Sequence, residues 1–214
     1  MAHVPATVRR MQITEAAAAV IARDGVAGAT TRRIAAEAKV SLATLHYVFK
    51  TKDDILAAVL ESLIDHASQD NSTITAHLVT PPGAGPPALS EVIHHLVRTA
   101  WGLVCGDLVT QRVEYELTLY ALRTPEAAHL GRALRDYNLT AVEQIIRRTL
   151  EHTGQKSHIP PRDLAHLIYC AIDGVLLDHL VNPDTGHADR TLAHLAGAVL
   201  HLVSTPHTHT TAIA

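Results

Sequence analysis

The sequence predicts an all-α fold of about nine helices, on three observations. Apolar residues recur at three- and four-residue intervals along almost the whole chain, which is the signature of helices with one buried face. Strand signals are nearly absent: no long segment alternates apolar and polar residues, and the pairs Asp24-Gly25 and Asp173-Gly174 sit in helical surroundings, not between β-branched runs. Apolar residues make up 47% of the 214 residues and charged residues only 18%. The apolar share is mostly Ala, Leu, Val and Ile, which suits packed helices. The length allows a sizeable core in one large domain or two small ones.

The first helix is expected over residues 6–24. Met11, Ile13, Ala17, Val20 and Ile21 form its inner stripe, and Gly25 is its natural stop. A short second helix follows Thr30 or Thr31 and carries Ile34, Ala35 and Ala38. The third follows Ser41, an N-cap residue whose hydroxyl can accept from a free helix-end N–H. Its Leu45, Val48 and Phe49, spaced i, i+3, i+4, share one face. A fourth starts after Thr51, with Asp54 completing a variant capping box, and runs to about Leu78. The segment "TPPGAGPP" (Thr80 to Pro87) is a loop, because repeated Pro and Gly break both helix and strand. "ALSEVIHHLVRTAWGLVC" and "LVTQRVEYELTLYALR" are the fifth and sixth helices. Thr124 is expected to cap the seventh, with Pro125 at its first position, and that helix reaches His152 before Gly154. Pro160-Pro161 opens the eighth, which ends at Asn182-Pro183. The ninth covers about Ala188 to Val203, and "TPHTHTTAIA" is a frayed tail.

Within this series, residues 1–52 form a candidate three-helix domain and 53–214 a larger helical one. "IAAEAKVSLATLHYVF" has the proportions of a helix-turn-helix. Ala35 is small where the two helices cross, Val40 plugs the gap between them, and Phe49 belongs to the core. The opposite face of the third helix presents Leu42, Ala43, Thr44, His46 and Tyr47. Such a face is narrow enough to enter a DNA major groove. Lys52, near the start of the fourth helix, can add positive charge there.

The stretch "TTRRIAAEAKVSLATLHYVFKTKDDILAAVL" resembles the N-terminal DNA-binding domain of the TetR family of transcriptional regulators. The specific match covers roughly residues 9–60, and the nine-helix layout extends it loosely over the chain. The resemblance places Thr31 at a phosphate- and base-contacting position of the second helix, with Arg32 beside it. It places Thr44, His46, Tyr47 and Lys52 at recognition-helix and phosphate positions. Three departures stand out. Lys39 replaces the turn glycine, His46 replaces the usual tyrosine with Tyr47 following, and Val48 replaces an aromatic residue.

The resemblance also implies a C-terminal domain that binds a small effector and dimerises. Five of the seven aromatic residues lie there: Trp101, Tyr115, Tyr120, Tyr137 and Tyr169. With Cys105, Leu119 and Asp173 they form the candidate ligand-binding set, since tyrosines suit a mostly apolar pocket with a few hydrogen-bonding groups. Further polar anchors are available at Glu114, Glu116, Arg123 and Asn138. The two cysteines, Cys105 and Cys170, otherwise read as packing residues. Ala171, Gly174 and Asp178 on the eighth helix, with Leu195, Ala198 and Leu202 on the ninth, form a candidate stripe for a symmetric four-helix dimer interface.

Other classes are disfavoured. Residues 1–60 hold eight Lys/Arg against five Asp/Glu (+3), and the remainder ten against sixteen (−6), so the net charge is −3. That balance suits local contact with phosphate. No apolar run approaches the ~18 residues a membrane helix needs, and the N-terminus lacks a secretory pattern. A cytoplasmic location without membrane association is expected. The sixteen histidines form no metal-ligand spacing, and His207-Thr208-His209 lies in the tail, so neither metal nor cofactor is expected. No nucleophile motif or phosphate loop points to catalysis. The expected partners are double-stranded operator DNA, a small-molecule effector and a second copy of the chain. An architectural DNA binder without effector is the alternative, and a helical enzyme the least favoured.

Overall fold

A computed structural model of the chain describes residues 5–76 and 87–204. The described residues form nine α-helices and no strand. They are α1 (Ala6–Gly28), α2 (Thr31–Glu37), α3 (Leu42–Val48), α4 (Lys52–Ala76), α5 (Leu89–Gly106), α6 (Leu108–Arg123), α7 (Ala128–Thr153), α8 (Pro161–Val181) and α9 (Thr185–Ser204), with a single 3-10 turn at Pro125–Ala127 before α7. The all-α expectation holds. The loop at Thr80, the end of the fourth helix at Leu78 and the tail from residue 205 lie outside the described residues.

Helix ends follow the capping residues. Thr30 accepts from the Arg33 N–H, Ser41 from the Thr44 N–H at 3.0 Å, and Asp107 from the Thr110 N–H at 3.1 Å. At the start of α4, Thr51 Oγ1 accepts from the Asp54 N–H, and Asp54 Oδ2 accepts from the Thr51 and Lys50 N–H groups. The hydrogen bonds from Thr51, with that from Lys50, hold the Asp54 carboxyl below its ordinary range.

Four expectations change in detail. Met11 is 57% exposed and does not join the inner stripe. The helical segment of α1 continues past Gly25 to Gly28, with a kink at Gly25. Thr124 makes no side-chain cap, and the chain enters α7 through the 3-10 turn. The ninth helix starts earlier than expected, at Thr185, with the Asp184 carboxylate accepting from the His187 N–H.

The helices pack as two units. One comprises residues up to Ala67 with Asp107–Arg135, and the other Ser68–Gly106 with Asp136 onward. The first unit therefore takes in the first part of α4, α6 and the start of α7 besides the helices expected in residues 1–52. Its core joins Ile13, Val20 and Ile21 of α1, Leu45 and Phe49, Ile55 and Val59 of α4, Val113 and Leu117 of α6, and Leu130 of α7. Burying each such side chain contributes roughly 1.5–3 kcal/mol. In the second unit α9 packs on α5 and α8. Its core includes Ile93, Ile146, Leu164, Val199 and Val203.

Candidate DNA-reading face and ligand cavity

In the first unit, the turn between α2 and α3 is closed by two hydrogen bonds. The Val40 N–H donates to the Ala35 carbonyl at 2.9 Å and the Lys39 N–H to the Ala36 carbonyl at 3.1 Å. This is a Schellman ending, which places its C′ residue in the left-handed region. Lys39 occupies it with φ 53°, where a glycine would carry no steric cost. Gln12 of α1 donates to the Ala38 carbonyl at 2.7 Å and ties α2 to α1. Val40, half-buried, packs on the core as expected.

With the turn fixed, α3 buries Leu45 completely and turns Leu42, Ala43, His46 and Tyr47 outward. Tyr47 is 78% exposed, while Phe49, two residues on, is core and carries the Arg10 guanidinium 4.6 Å from its ring centroid. Thr44 is half-buried, with its hydroxyl 2.8 Å from that of Ser41. Thr31 is half-buried and Arg32 exposed at the start of α2.

Lys52 behaves differently from its sequence-based role. Its ammonium donates to the Val26 carbonyl at 2.6 Å, and burial pushes its pKa down. A lysine committed to a carbonyl is a poor phosphate ligand. Lys50, which falls on no motif position, stands 5.9 Å from the centroid of the Tyr47 ring and is exposed. It brings positive charge to the outward face at cation–π distance.

Val26 is gripped at both of its backbone groups. Its N–H donates to Glu116 Oε2 of α6 at 3.4 Å, and its carbonyl accepts from Lys52. Gly25 precedes it with φ 70° and ψ 169°, a region essentially restricted to glycine. Glu116, expected as a ligand anchor, thus serves the α1 kink instead.

The second unit holds a cavity of about 160 Å³ lined almost wholly by aliphatic side chains. Ile74, Leu96, Ala100, Ile145, Ile168 and Val199 represent the helices that line it, namely α4, α5, α7, α8 and α9. Its polar contributors are Asn71 and Thr149. A second cleft of about 230 Å³ lies between α4 and α7 and is polar, with Ser72, Thr75, Tyr137, Thr140, Gln144 and Arg148 among its walls. Asn71 and Ile145 belong to both, so the two spaces adjoin.

The sequence-based ligand set does not converge on the aliphatic cavity. Trp101 is buried with its ring 5.5 Å from that of His179, edge to face. Tyr115 and Tyr120 are half-buried on α6 in the first unit, and Leu119 beside them is exposed. Cys105, its thiol pKa raised by burial, together with Tyr169 and Asp173, is half-buried and none lines either space. Tyr137 alone of the set lines the polar cleft.

For the dimer stripe, Leu195 turns inward to the cavity and Leu202 packs on the core. Ala171 is half-buried, and Gly174, Asp178 and Ala198 are exposed. The outward face of α8 carries Leu167, Cys170, Gly174, Leu177 and Val181, all exposed. Their 3-4-3-4 spacing makes one continuous stripe. This helix reaches a mean hydropathy of 1.5 over an 18-residue window, with only 22% of that window buried.

Comparison with known proteins bears on both units. A family model for bacterial regulatory proteins of the tetR family matches residues 13–59. A model for the tetracyclin repressor-like C-terminal domain matches residues 84–205. The chain is 28% identical over 183 residues to the HTH-type nicotine-responsive transcriptional repressor HdnoR of Paenarthrobacter nicotinovorans, covering 85% of this chain and 89% of that one. It is 25% identical over 182 residues to the HTH-type transcriptional regulator PksA of Bacillus subtilis strain 168, covering 85% and 83%. Among solved structures, the multidrug binding protein EbrR complexed with imidazole superposes with a TM-score of 0.62 at 25% identity, covering 94% of this chain and 97% of that one.

Proposed function

Since the chain belongs to the TetR family of transcriptional regulators, we propose that it is a repressor that binds a palindromic operator as a homodimer. A small, largely apolar or aromatic molecule entering the second unit releases it. The observation that carries the effector half is the aliphatic cavity, where Asn71 and Thr149 are the polar lining. An apolar cavity near 150 Å³ is large enough to take a benzene-sized molecule. Two relatives support a small organic effector: one is a nicotine-responsive repressor and another binds multiple drugs.

Operator contact falls to α3. Leu42, Ala43, Thr44, His46 and Tyr47 meet base edges and phosphates, Thr31 and Arg32 of α2 reach the flanking backbone, and Lys50 joins them. Dimerisation falls to the exposed stripe of α8, continued by Ala198 on α9. A second copy would cover that apolar surface, as helical pairs do across a two-fold axis. Two reading heads must then sit about one DNA turn apart, or a multiple of it, to engage both half-sites.

Footprinting of the purified protein on the DNA flanking its own gene tests the reading. A protected palindrome that is lost on adding small aromatic compounds is the expected result. Protection that no compound relieves would instead favour an architectural DNA binder. The dimer has its own test. A Cβ built at Gly174 meets nothing within 4 Å, so Gly174→Arg leaves one chain free to fold. Sedimentation should show monomers with weakened operator binding, and an unaltered dimer would move the interface elsewhere.

A further inference from the structure

The aliphatic cavity and the polar cleft share Asn71 and Ile145, and this juxtaposition says more about the effector than the cavity alone. We infer that the effector is amphipathic and anionic, with an aryl or alkyl body in the aliphatic cavity and a carboxylate head in the cleft beside Arg148. The inference rests on the effector reading above and narrows it to a chemical class.

The charge inventory of the cleft carries the choice of head group. Among the described residues that line it, Arg148 is the one charged side chain and none is a carboxylate. Arg147 and Arg162 each already have an acidic partner: Arg147 donates to Glu143 at 2.6 Å and Arg162 reaches the same carboxylate at 3.3 Å. Among the described residues Arg148 has no carboxylate within ion-pair distance, and its hydrogen-bond partner is the Thr75 hydroxyl at 3.5 Å.

The neutral groups of the cleft point the same way. Ser72 and Thr75 spend their hydroxyl protons on the Ser68 and Asn71 carbonyls, so they compete little for an anion as donors. The amides of Asn71 and Gln144 and the phenol of Tyr137 carry further N–H and O–H donors into the lining. A guanidinium with amide and phenol donors suits a carboxylate better than an ammonium. A cationic head would meet Arg148 with no acidic group in the lining to offset it.

Three head groups on one aryl body separate the possibilities: ω-phenylalkanoates with two to six methylenes, and the alcohols and amines of matching length. Binding is read by calorimetric titration, and release by loss of operator protection. The carboxylate should bind best at one intermediate length, about tenfold or more tighter than the alcohol, as expected for a hydrogen bond to a charged group. Arg148→Gln should reduce that preference to within about threefold, chiefly by weakening the carboxylate. If alcohols and carboxylates bind alike to both proteins, the anionic head is refuted and the apolar effector reading stands. Tightest binding by the amines refutes it in the same way. If none of the probes binds and Ala100→Trp, which fills the cavity, changes nothing, the effector reading itself falls with it.

Discussion

Replacing Gly25 with Ala should destabilise the first unit by about 2–4 kcal/mol, and the structure divides that sum. Gly25 has φ 70° and ψ 169°. An L-residue held there costs on the order of 1–3 kcal/mol. The new methyl would also sit 2.9 Å from Glu116 Oε2, closer than real Cβ contacts come. Glu116 is the end of a flexible side chain and can swing away, but it then abandons the Val26 N–H. That loss is worth about 1 kcal/mol. Differential calorimetry or denaturant unfolding reads the total, and for a chain of this size each kcal/mol moves the midpoint by roughly 2–4 °C. Glu116→Ala alone should cost about 1 kcal/mol. The double variant should cost less than the two single ones together, because the clash and the lost acceptor are then the same event. A Gly25→Ala protein within about 0.5 kcal/mol of the parent, the range of an unremarkable surface change, would refute the conformational reasoning. Strict additivity would refute the steric part alone.

Three further substitutions address the reading head. Lys39→Gly removes a left-handed non-glycine residue at φ 53°. It should stabilise by about 1 kcal/mol with operator affinity unchanged, and a lowered denaturant midpoint would count against it. Lys50→Ala should weaken binding to operator and random DNA alike and make the salt dependence shallower by about one unit. Lys52→Ala should leave that slope alone and lower stability instead, because its ammonium serves the Val26 carbonyl. If the two lysines exchange these outcomes, the phosphate ligand is Lys52.

What the sequence disclosed depended on how local the signal was. Capping is a matter of four residues, so Ser41, Thr51 with Asp54, and Gly154 marked helix ends correctly, and the i, i+3, i+4 pattern placed Leu45 and Phe49 inside. Met11 is exposed because, at 3.6 residues per turn, it lies well off the face shared by Ile13, Ala17, Val20 and Ile21. The aliphatic cavity is harder to read. Aromatic residues are the natural sequence markers of a pocket, yet the walls of this cavity are aliphatic and come from five helices. Nothing in a single helix distinguishes a leucine on a cavity from one in a filled core. The polar cleft left one trace, since Ser68, Asn71, Ser72 and Thr75 recur at helical spacing on α4. A polar stripe on a helix otherwise bound for a core is a signal that could have been used. Lys50 escapes a sequence motif for a different reason. Its neighbour Lys52 matches the motif position, and only the folded chain shows which of two nearby lysines turns inward.

Under the proposed function, two helices would carry the effect of a bound effector toward the operator. α4 supplies Ile55 and Val59 to the core under the reading head and, further along, Asn71 and Ile74 to the cavity. α7 does the same with Leu130 and Leu134 at one end and Val142, Ile145 and Ile146 at the other. On that reading, a ligand that favours one packing of these side chains over another would bias helices that also supply the core of the DNA-reading unit. No extra wire between the units is needed, only a difference in ligand affinity between two arrangements of shared helices. Linkage then fixes a quantity. Whatever factor an effector takes from operator affinity, operator must take from effector affinity, and couplings of this kind run to about 5–150-fold. Titrating the tightest-binding phenylalkanoate with and without saturating operator measures it directly, and equal affinities would leave the shared helices without a regulatory role. Ala100→Trp supplies the converse. Ala100 lines the cavity, and a bulky ring there should imitate bound effector, weakening operator binding in the absence of any ligand. A protein that folds with the cavity filled and still holds its operator as tightly as the parent would show that occupancy is not what the reading head senses.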